Sequence, residues 1–310
     1  MTQAGFVAVI GAPNAGKSTL VNRLVGSKVT IVTQKAQTTR FPVRGVALDG
    51  ESQIVLVDTP GIFQPRRRLD RAMVRAAWSG AHDADAIVNL VDAEAELAAA
   101  GPAAKAADRR AAEDVRTVVD GLKAAERQAL LALNKIDRVK RENLLALSQK
   151  LYETGVYSEV FMVSALDGSG VADLKRRLAA MMPEGPWLYP SDQSADLPER
   201  LLAAEITREK LYLRVHEELP YAASVETTAF APHKDGGVRI EQTIYVERQG
   251  QRAIVIGKGG ATLKWIGQAA RRELADILGR PVHLFLTVKV KETWADERAT
   301  YETLGLEFDA

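Results

Sequence analysis

The sequence contains no cysteine and only four histidines among its 310 residues. Without cysteine, the chain can form neither a disulfide framework nor a thiolate metal site. The histidines stand far apart along the chain, at His82, His216, His233 and His283. We therefore expect no histidine ligand cluster.

Long apolar runs are also missing. No stretch approaches the roughly 18 to 20 residues that span a bilayer, and the N-terminus enters a predicted strand without a signal-peptide pattern. We therefore expect a cytoplasmic protein. The formal net charge is only +1 and predicts no partner. Locally, however, the segment from Arg248 to Arg272 holds six basic residues and no acidic one. This local excess of positive charge would attract a polyanion. On charge alone, however, a solvated helix face is the better explanation of the six basic residues.

The most informative pattern follows the first apolar run, Phe6 to Ile10. It fits the phosphate-loop spacing G-x-x-x-x-G-K-[ST], with a strand before it and a helix after it. The glycines let backbone N–H groups turn toward phosphate oxygens, the lysine reaches the β- and γ-phosphates, and the serine holds magnesium. The predicted nucleotide-binding residues of this loop are Gly11, Ala12, Pro13, Asn14, Ala15, Gly16, Lys17, Ser18 and Thr19.

A carboxylate follows another apolar run, Ile54 to Val57, in the tetrapeptide Asp58-Thr59-Pro60-Gly61. Ligands of open α/β sheets bind at the carboxyl ends of the strands. An aspartate there can hold magnesium through a water. We therefore predict Ser18 and Asp58 as magnesium-binding residues, and all four residues of the tetrapeptide as part of the nucleotide site.

Two later loops predict which base is bound. Asn134-Lys135-Ile136-Asp137 follows an apolar run, and a carboxylate at Asp137 accepts hydrogen bonds from N1–H and the exocyclic amine of guanine. Such a site can discriminate against adenine by roughly 10⁴-fold. Asn134 and Lys135 would support the loop and cover the ring. The run Val160 to Val163 precedes the residues that complete the pocket, which are Ser164, Ala165 and Leu166.

Residues 1–182 alternate strand and helix patterns, which predicts an α/β domain whose sheet is mainly parallel. An Asp49-Gly50 turn between Val43–Leu48 and Gln53–Val57 predicts one antiparallel hairpin, so we expect a mixed sheet of six strands. Prolines and polar residues over 183–197 indicate an interdomain linker.

Residues 198–310 have a different predicted order, α-β-β-α-α-β. The first helix is expected over Pro198–Glu218 and the last strand over Val282–Val290. A glycine loop, Ile256 to Gly260, lies between the last two helices, in the position of the G-X-X-G loop of α+β KH domains. A lone G-X-X-G is a common turn, but this order and the basic segment favour single-stranded RNA binding. The candidate RNA-binding residues are Ile256, Gly257, Lys258, Gly259, Gly260, Lys264 and Arg271.

Apolar side chains near this loop can form a floor under splayed bases, although several must also serve the core. They are Ile254, Ile256, Leu263 and Ile266.

The combination of these two domains, with Gln37-Thr38-Thr39-Arg40 and Asp58-Thr59-Pro60-Gly61-Ile62, resembles the Era family of bacterial GTPases over nearly the whole chain. The resemblance implies a GTPase that binds the 3′ end of 16S ribosomal RNA and assists maturation of the small (30S) ribosomal subunit. It also implies peripheral association with the cytoplasmic face of the inner membrane, and we expect a monomer. The alanine-rich stretch 93–112 departs from the family; we expect a polar connector and the start of a surface helix there.

The family pattern also implies residue roles. Thr39, with Thr38 as the alternative, would meet magnesium and the γ-phosphate in the GTP state, so the catalytic residues are Lys17, Thr39 and Gly61. Ile62 stands where Ras-like enzymes carry a water-orienting glutamine, so we expect slow intrinsic hydrolysis. Asn14 is a candidate potassium ligand, as in related GTPases.

Three other functions share part of this pattern. A metabolic P-loop kinase or ATPase would share Lys17 and Ser18 but would not need Asp137. A signalling GTPase of the membrane surface would share the first domain but would not need the loop around Lys258. A structural RNA chaperone would need neither Asp58 nor Thr39. Nucleotide preference and RNA binding separate the four hypotheses.

Overall fold

The computed structural model describes residues 1–35, 37–215 and 219–309. The chain folds into two compact units. The first comprises Met1–Thr30, Thr39–Asp196 and Leu304–Ala310, and the second comprises Ile31–Thr38 and Leu197–Thr303. Each unit is therefore built from separate pieces of chain. The sequence-based domain limits, 1–182 and 198–310, remain a prediction.

Within the described residues, the first unit has seven strands, which are β1 (Gln3–Ile10), β2 (Val43–Asp49), β3 (Ser52–Asp58), β4 (Ala86–Asp92), β5 (Ala129–Asn134), β6 (Tyr157–Met162) and β7 (Ala195–Asp196). They form one sheet in the order β6-β5-β4-β1-β3-β2-β7. The pairs β2–β3 and β2–β7 are antiparallel and the others are parallel. The mixed, mainly parallel sheet is confirmed. The predicted number of six strands was one too few, because two residues of the predicted linker pair with β2.

The predicted hairpin of β2 and β3 is present with a small shift. Asp49 belongs to β2 and pairs with Ser52, so the turn residues are Gly50 and Glu51. Gly50 has φ 57°, a left-handed conformation that a residue without Cβ adopts at no steric cost. The positive φ at Gly50 explains why the turn sits one residue later than predicted.

Six helices cover the sheet of the first unit in its described part: α1 (Lys17–Val25), α2 (Arg68–Asp83), α3 (Ala93–Ala100), α4 (Ala106–Ala124), α5 (Arg141–Tyr152) and α6 (Val171–Met181). Side chains of β1 alternate between two cores, with Val7 and Val9 in one and Ala8 and Ile10 in the other. This is the period of two expected of a strand buried on both faces. Helices α1 and α6 contribute to the first core, and α2, α4 and α5 to the second.

The alanine-rich stretch is more helical than expected. Residues 93–100 form α3, a short turn includes Gly101 and Pro102, and α4 begins at Ala106. Alanine has the highest helix propensity, and the Asp92 carboxylate caps α3 by accepting from the backbone N–H of Ala95 at 3.1 Å. The prediction of a polar connector over the first part of the stretch is therefore wrong. The residue that caps the helix, Asp92, lies one position before the alanine-rich stretch and was not considered with it.

The second unit has the predicted α-β-β-α-α-β order. Its described elements are α7 (Glu199–Arg214), β8 (Ala223–Pro232), β9 (Val238–Val246), α8 (Gln249–Ile256), α9 (Ala261–Leu278), β10 (Val282–Val290) and, at the end, α10 (Arg298–Leu304). Strand β9 is central, antiparallel to β8 and parallel to β10. Helix α7 ends at Arg214, earlier than predicted, and the predicted end at Glu218 lies outside the described residues.

A short piece of chain from the N-terminal half belongs to the second unit. Ile31 is 2% exposed and lies in the same core as residues of α7, α9 and β10. The backbone N–H of Val32 donates to Glu209 Oε1 at 2.9 Å, and Arg208 donates to the carbonyl of Thr38. The segment Ile31–Thr38 is therefore tied to α7 by packing and by hydrogen bonds.

The predicted linker is tied to the first unit. The side chain of Gln53 accepts from the backbone N–H groups of Leu188 and Tyr189 and donates to the carbonyl of Tyr189, at 2.8 to 3.0 Å.

Over the described residues, no helix combines the length and the apolar character that a bilayer crossing requires.

Candidate functional site

The predicted nucleotide residues of the first unit follow strands that end at one edge of the sheet. Val9 of β1 pairs with Asp58 of β3, and Asp92 of β4 pairs with Asn134 of β5. Because these strands are parallel, their carboxyl ends lie side by side, where ligands of open α/β sheets bind. The register therefore brings the four sequence motifs to one edge.

The phosphate loop needs its two glycines for steric reasons. Gly11 has φ 146° and Gly16 has φ 100°. A Cβ on Gly11 would lie 2.3 Å from the carbonyl oxygen of Leu90, and a Cβ on Gly16 would lie 2.3 Å from Asn134 Nδ2. Neighbouring strands thus approach the loop closely, and a side chain at either glycine would force them apart.

Lys17 lies inside this loop and is 6% exposed. Its Nζ donates to the carbonyls of Gly11 at 3.2 Å and Ala12 at 2.9 Å. Burial lowers the pKa of Lys17 to about 8, and the charge of Asp58 partly offsets that effect. The loop therefore holds a cation that is poorly solvated and close to the predicted phosphate position.

The other loop residues are held from several sides. Asn14 has φ 62°, a left-handed conformation that asparagine tolerates well. The carbonyl of Ala15 accepts from Asn134 Nδ2 at 2.8 Å. A Cβ on Gly61 would lie 2.9 Å from the ring of Pro13. Thr19 lies in the first turn of α1, directly after Ser18.

The residues predicted to bind magnesium meet at the end of β3. Asp58 Oδ2 accepts from Ser18 Oγ at 2.7 Å, from Thr30 Oγ1 at 2.8 Å and from Thr39 Oγ1 at 3.2 Å. The other carboxylate oxygen, Oδ1, is buried and has no hydrogen-bond partner among the described residues. Burial raises the pKa of Asp58, and the hydroxyl hydrogen bonds and Lys17 lower it. A set of hydroxyl and carboxylate oxygens with one unsatisfied buried oxygen fits a hard divalent cation such as Mg²⁺.

The two candidate threonines are separated by the structure. Thr39 Oγ1 is 2.9 Å from Ser18 Oγ, inside this set. Thr38 Oγ1 lies 2.6 Å from Thr33 Oγ1 and donates to the carbonyl of Lys35 at 2.7 Å. The geometry therefore favours Thr39 over Thr38 as the magnesium-binding threonine.

The tetrapeptide after β3 is fixed to the phosphate loop. Thr59 Oγ1 donates to the carbonyl of Val9 at 2.8 Å, and the backbone N–H of Ile62 donates to the carbonyl of Gly11 at 3.0 Å. Pro60 between them is buried. The side chain of Ile62 is fully buried in the core on the α2 side of the sheet, so it has neither a polar group nor a position from which to orient a water.

Asn134 links the phosphate loop to the last base-pocket loop. Besides its bond to Ala15, its Oδ1 accepts from the backbone N–H of Ala165 at 2.9 Å, and the residue is 3% exposed. Lys135 adopts φ 65° and its Nζ lies 2.5 Å from Asp92 Oδ2. The Asp137 side chain is 25% exposed and lies 3.9 Å from Arg138 Nε. The supporting role predicted for Asn134 thus has a direct geometric basis.

The loop after β6 is closed by its own backbone and by α1. Ser164 and Ala165 are buried, whereas Leu166 is 67% exposed. The carbonyls of Ala165 and Leu166 accept from the guanidinium of Arg23. The three predicted residues therefore lie beside Asn134 with two inside and one on the surface.

Three functional candidates were missed by sequence reasoning. Thr30 carries no motif, and only its bond to Asp58 identifies it. Asp92 obeys the rule used for Asp58, since it ends an apolar strand, and that rule would have found it. Asp114 of α4 accepts from the backbone N–H of Gln64, and burial raises its pKa to about 6. No sequence signal indicates Asp114, because it lies within a helix.

The predicted RNA loop of the second unit has the backbone of a glycine-dependent turn. Gly257 has φ 74° and ψ 171°, and Gly259 and Gly260 have φ 59° and 78°. A Cβ on Gly257 would lie 2.3 Å from Thr262 Oγ1. Lys258 is exposed. Helix α9 begins directly after the loop, so its free N–H groups are available to an anion.

The other predicted RNA residues differ in exposure. Lys264 is exposed on α9, and Arg271 donates to the carbonyl of Leu284 at 3.2 Å. Ile254 is 56% exposed, whereas Ile266 is fully buried in the core. Ile256 and Leu263 are partly buried against that core. Of the four apolar side chains expected to lie under the RNA bases, Ile266 is therefore excluded, because it is buried in the domain core.

The fold and the two sites define a P-loop GTPase joined to a KH RNA-binding domain. Family comparison agrees, because the family described as 50S ribosome-binding GTPase matches residues 6–135 and the KH domain family matches residues 218–295. GTPase Era of Caulobacter vibrioides (strain NA1000 / CB15N) is 70% identical over 308 residues, covering 99% of this chain and 98% of that protein. GTPase Era of Maricaulis maris is 61% identical over 307 residues, again covering 99% and 98%. The chain belongs to the Era family of GTPases.

Two solved structures are similar over the full length. One is a variant of Aquifex aeolicus Era bound to GDP.AlF4⁻, and the other is Era in complex with MgGDPNP and nucleotides 1506–1542 of 16S ribosomal RNA. Each has a TM-score of 0.88 and 36% identity, and covers 98% of this chain and 99% of its own. The fold class predicted from sequence is confirmed by this similarity.

Proposed function

We propose that this protein binds GTP with Mg²⁺, hydrolyses it slowly, and binds the 3′ end of 16S ribosomal RNA to assist assembly of the small ribosomal subunit. The observation that carries the nucleotide part is the gathering of Ser18, Thr30 and Thr39 on one carboxylate oxygen of Asp58. One solved relative is bound to GDP.AlF4⁻, and the other is in complex with MgGDPNP and a 16S ribosomal RNA segment; these complexes support the proposed ligands.

Each motif residue has one task in this proposal. Backbone N–H groups from Asn14 to Thr19 would donate to phosphate oxygens, and Lys17 would exchange its two carbonyl partners for the β- and γ-phosphates. Ser18, Thr39 and Asp58 would hold Mg²⁺, which would supply positive charge beside the phosphates. The N–H of Gly61 would donate to the γ-phosphate, and Asp137 would accept hydrogen bonds from guanine.

The slow rate follows from the burial of Ile62. Phosphoryl transfer depends on positioning the water and stabilising charge, and Ile62 supplies neither. Asn14 would hold a potassium ion that replaces the missing positive charge. Equal hydrolysis rates in potassium and sodium chloride would refute this part, and a rate that falls in sodium for the native protein but not for Asn14→Ala would support it.

The RNA part rests on the loop from Ile256 to Gly260. Glycine backbone lets the sugar-phosphate chain approach closely, Lys258 and Lys264 add charge, and α9 presents N–H groups. Arg271 would contact the RNA after giving up its bond to Leu284. Crosslinking the protein to cellular RNA and sequencing the fragments tests the target; fragments without the 3′ end of 16S RNA would refute it.

A coupling between nucleotide and RNA is part of the proposal. Thr30 and Thr39 donate hydrogen bonds to Asp58 in the first unit. Between them, Ile31 shares a core with residues of α7, and Val32 and Thr38 form hydrogen bonds with α7 of the second unit. A change in Thr39 on nucleotide exchange is therefore transmitted through a short covalent segment. RNA affinities that are equal with GDP and with a non-hydrolysable GTP analogue would refute the coupling, because coupling requires different affinities.

Three further properties remain predictions: binding to the 30S subunit, a monomeric state, and peripheral association with the inner membrane from the cytoplasm. Co-sedimentation with subunits, light scattering and fractionation would measure them in turn.

A further inference from the structure

A cluster of three metal-binding side chains lies in the second unit, outside the RNA loop. His233 Nδ1 is 3.0 Å from Asp235 Oδ1, and His283 Nε2 is 2.7 Å from Asp235 Oδ2. The centroids of the two imidazole rings lie 4.0 Å apart, and the ring planes are tilted by 40°. The three ligand atoms all lie within 4.8 Å of one another. The expectation that no histidine ligand cluster would form was therefore wrong, because the fold brings together histidines that are far apart along the chain.

The backbone brings these residues together and fixes them. The turn between β8 and β9 is closed by hydrogen bonds from His233 N–H to the carbonyl of Gly237 at 2.9 Å, and from Gly236 N–H to the carbonyl of His233 at 3.1 Å. Gly237 packs so closely on the chain before β10 that a Cβ there would lie 2.4 Å from the carbonyl oxygen of Pro281. The turn and the start of β10 are therefore held at a fixed separation.

A backbone hydrogen bond also orients the carboxylate of Asp235. The backbone N–H of Gly237 donates to Asp235 Oδ1 at 2.9 Å. Carboxylates that bind a metal are held in place by outer hydrogen bonds of this kind, which fix their orientation.

We propose that His233, Asp235 and His283 form a binding site for a borderline divalent transition metal, with Zn²⁺ as the probe. Two imidazoles and a carboxylate are nitrogen and oxygen ligands that zinc accepts at about 2.0 to 2.2 Å, and water fills the remaining position. Neighbouring ligand atoms on a tetrahedral zinc lie about 3.3 Å apart. His233 and His283 contact different oxygens of Asp235, and one ligand atom from each residue lies within 4.8 Å of the other two, so rotation of the side chains brings the three atoms to that spacing. The side chains are 36 to 45% exposed, which lets the ion enter and the rings rotate.

The metal would join the β8–β9 turn to the start of β10. The RNA loop lies at the start of α9 and β10 follows its end, so about 27 Å of helix separates the two sites along the chain. The role of the metal is therefore to stabilise the three-stranded sheet. Each imidazole nitrogen must present its lone pair to the metal, so protons compete with Zn²⁺ for the site.

The test is calorimetric titration of Zn²⁺ into the full chain, freed of metal and then saturated with GDP and Mg²⁺ to protect the nucleotide site. We expect one equivalent to bind and to raise the thermal midpoint. His283→Gln and Asp235→Asn should each lose that equivalent and the shift. His82→Gln is the matched control, because His82 pairs with Asp83 at 3.1 Å on the surface but has no third ligand in the described part of the chain.

Imidazole ¹⁵N spectra give a second readout that does not depend on stability. Zinc should shift Nδ1 of His233 and Nε2 of His283 and leave His82 unchanged. Absence of binding in the native protein, or binding that survives both substitutions, would overturn the proposal and leave a plain hydrogen-bonded cluster. Circular dichroism checks that the variants are folded. The result is independent of GTP hydrolysis and RNA binding.

Discussion

Three glycines in one ten-residue segment of the RNA-binding domain differ in the free energy that substitution by alanine would cost. Gly257 has φ 74° and ψ 171°, a region that is almost exclusive to glycine and costs about 1 to 3 kcal/mol for other residues. A Cβ there would also lie 2.9 Å from the backbone nitrogen of Thr262. Gly259 has φ 59° with free space around its Cβ position, so only a left-handed penalty of about 1 kcal/mol applies. Gly250 lies inside α8 with free space, and alanine there should stabilise the helix by roughly 0.5 to 1 kcal/mol.

We therefore expect a graded effect on RNA affinity. If the loop must keep its native backbone to bind RNA, Gly257→Ala should weaken binding by about 30-fold or more, since each 1.4 kcal/mol is a factor of ten. Gly259→Ala should weaken it by about fivefold, and Gly250→Ala should leave it unchanged. Fluorescence anisotropy with a labelled oligonucleotide of the 16S 3′ end, with the protein loaded with a GTP analogue, measures the affinity.

Urea denaturation of the same three variants separates loop strain from unfolding. Gly250→Ala should have the highest midpoint and Gly257→Ala the lowest. If Gly257→Ala bound RNA as tightly as the native protein, the claim that close backbone approach defines this loop would be refuted. A loss in Gly250→Ala equal to that in Gly257→Ala would refute it as well.

Three further predictions concern the nucleotide domain. Because burial lowers the pKa of Lys17 to about 8, GDP affinity of the free protein should fall as pH rises from 7 to 9, and Lys17→Met should bind weakly at every pH; a flat calorimetric profile for the native protein would contradict this. Asp137→Ala should lose most of a GTP-over-ATP preference of roughly 10⁴-fold, measured by competition with labelled GDP, while unchanged preference would exclude Asp137 as the guanine acceptor. Burial raises the pKa of Asp114 from 3.8 to about 6, so the folded state binds a proton more tightly than the unfolded one, and this group's contribution to stability declines as pH rises from 4 to 6. Asp114→Asn should therefore be more stable than the native protein at pH 7 in urea, and an equal or lower midpoint would contradict the assignment.

Motifs that end a strand were the most predictable part of the site. The phosphate loop, Asp58 and Asn134 could all be placed at one sheet edge from spacing alone, because parallel strands share the direction of their carboxyl ends. The structure adds what spacing does not contain, such as the hydroxyl of Thr30 on Asp58 and the bond from Asn134 to Ala165.

Contacts between distant positions account for what the sequence missed. The pairing of His233 with His283 depends on the parallel register of β9 and β10, which no local pattern encodes. The two-residue strand β7 forms only because β2 offers a free edge. The division of the chain into units is of the same kind, since the buried position of Ile31 depends on α7, α9 and β10.

The interleaved course of the chain has a consequence for dissecting the protein. A cut after Asp196 removes the partners of Ile31, a side chain that is 2% exposed in the intact fold, and placing such a side chain in water costs about 1.5 to 3 kcal/mol. In the isolated N-terminal fragment, the segment between Thr30 and Thr39 would lose its contacts and would expose the apolar side chain of Ile31 to solvent. Thermal unfolding of the second unit would release the same segment. We therefore expect the thermal stability of the nucleotide site, which includes Thr30 and Thr39, to depend in part on the second unit.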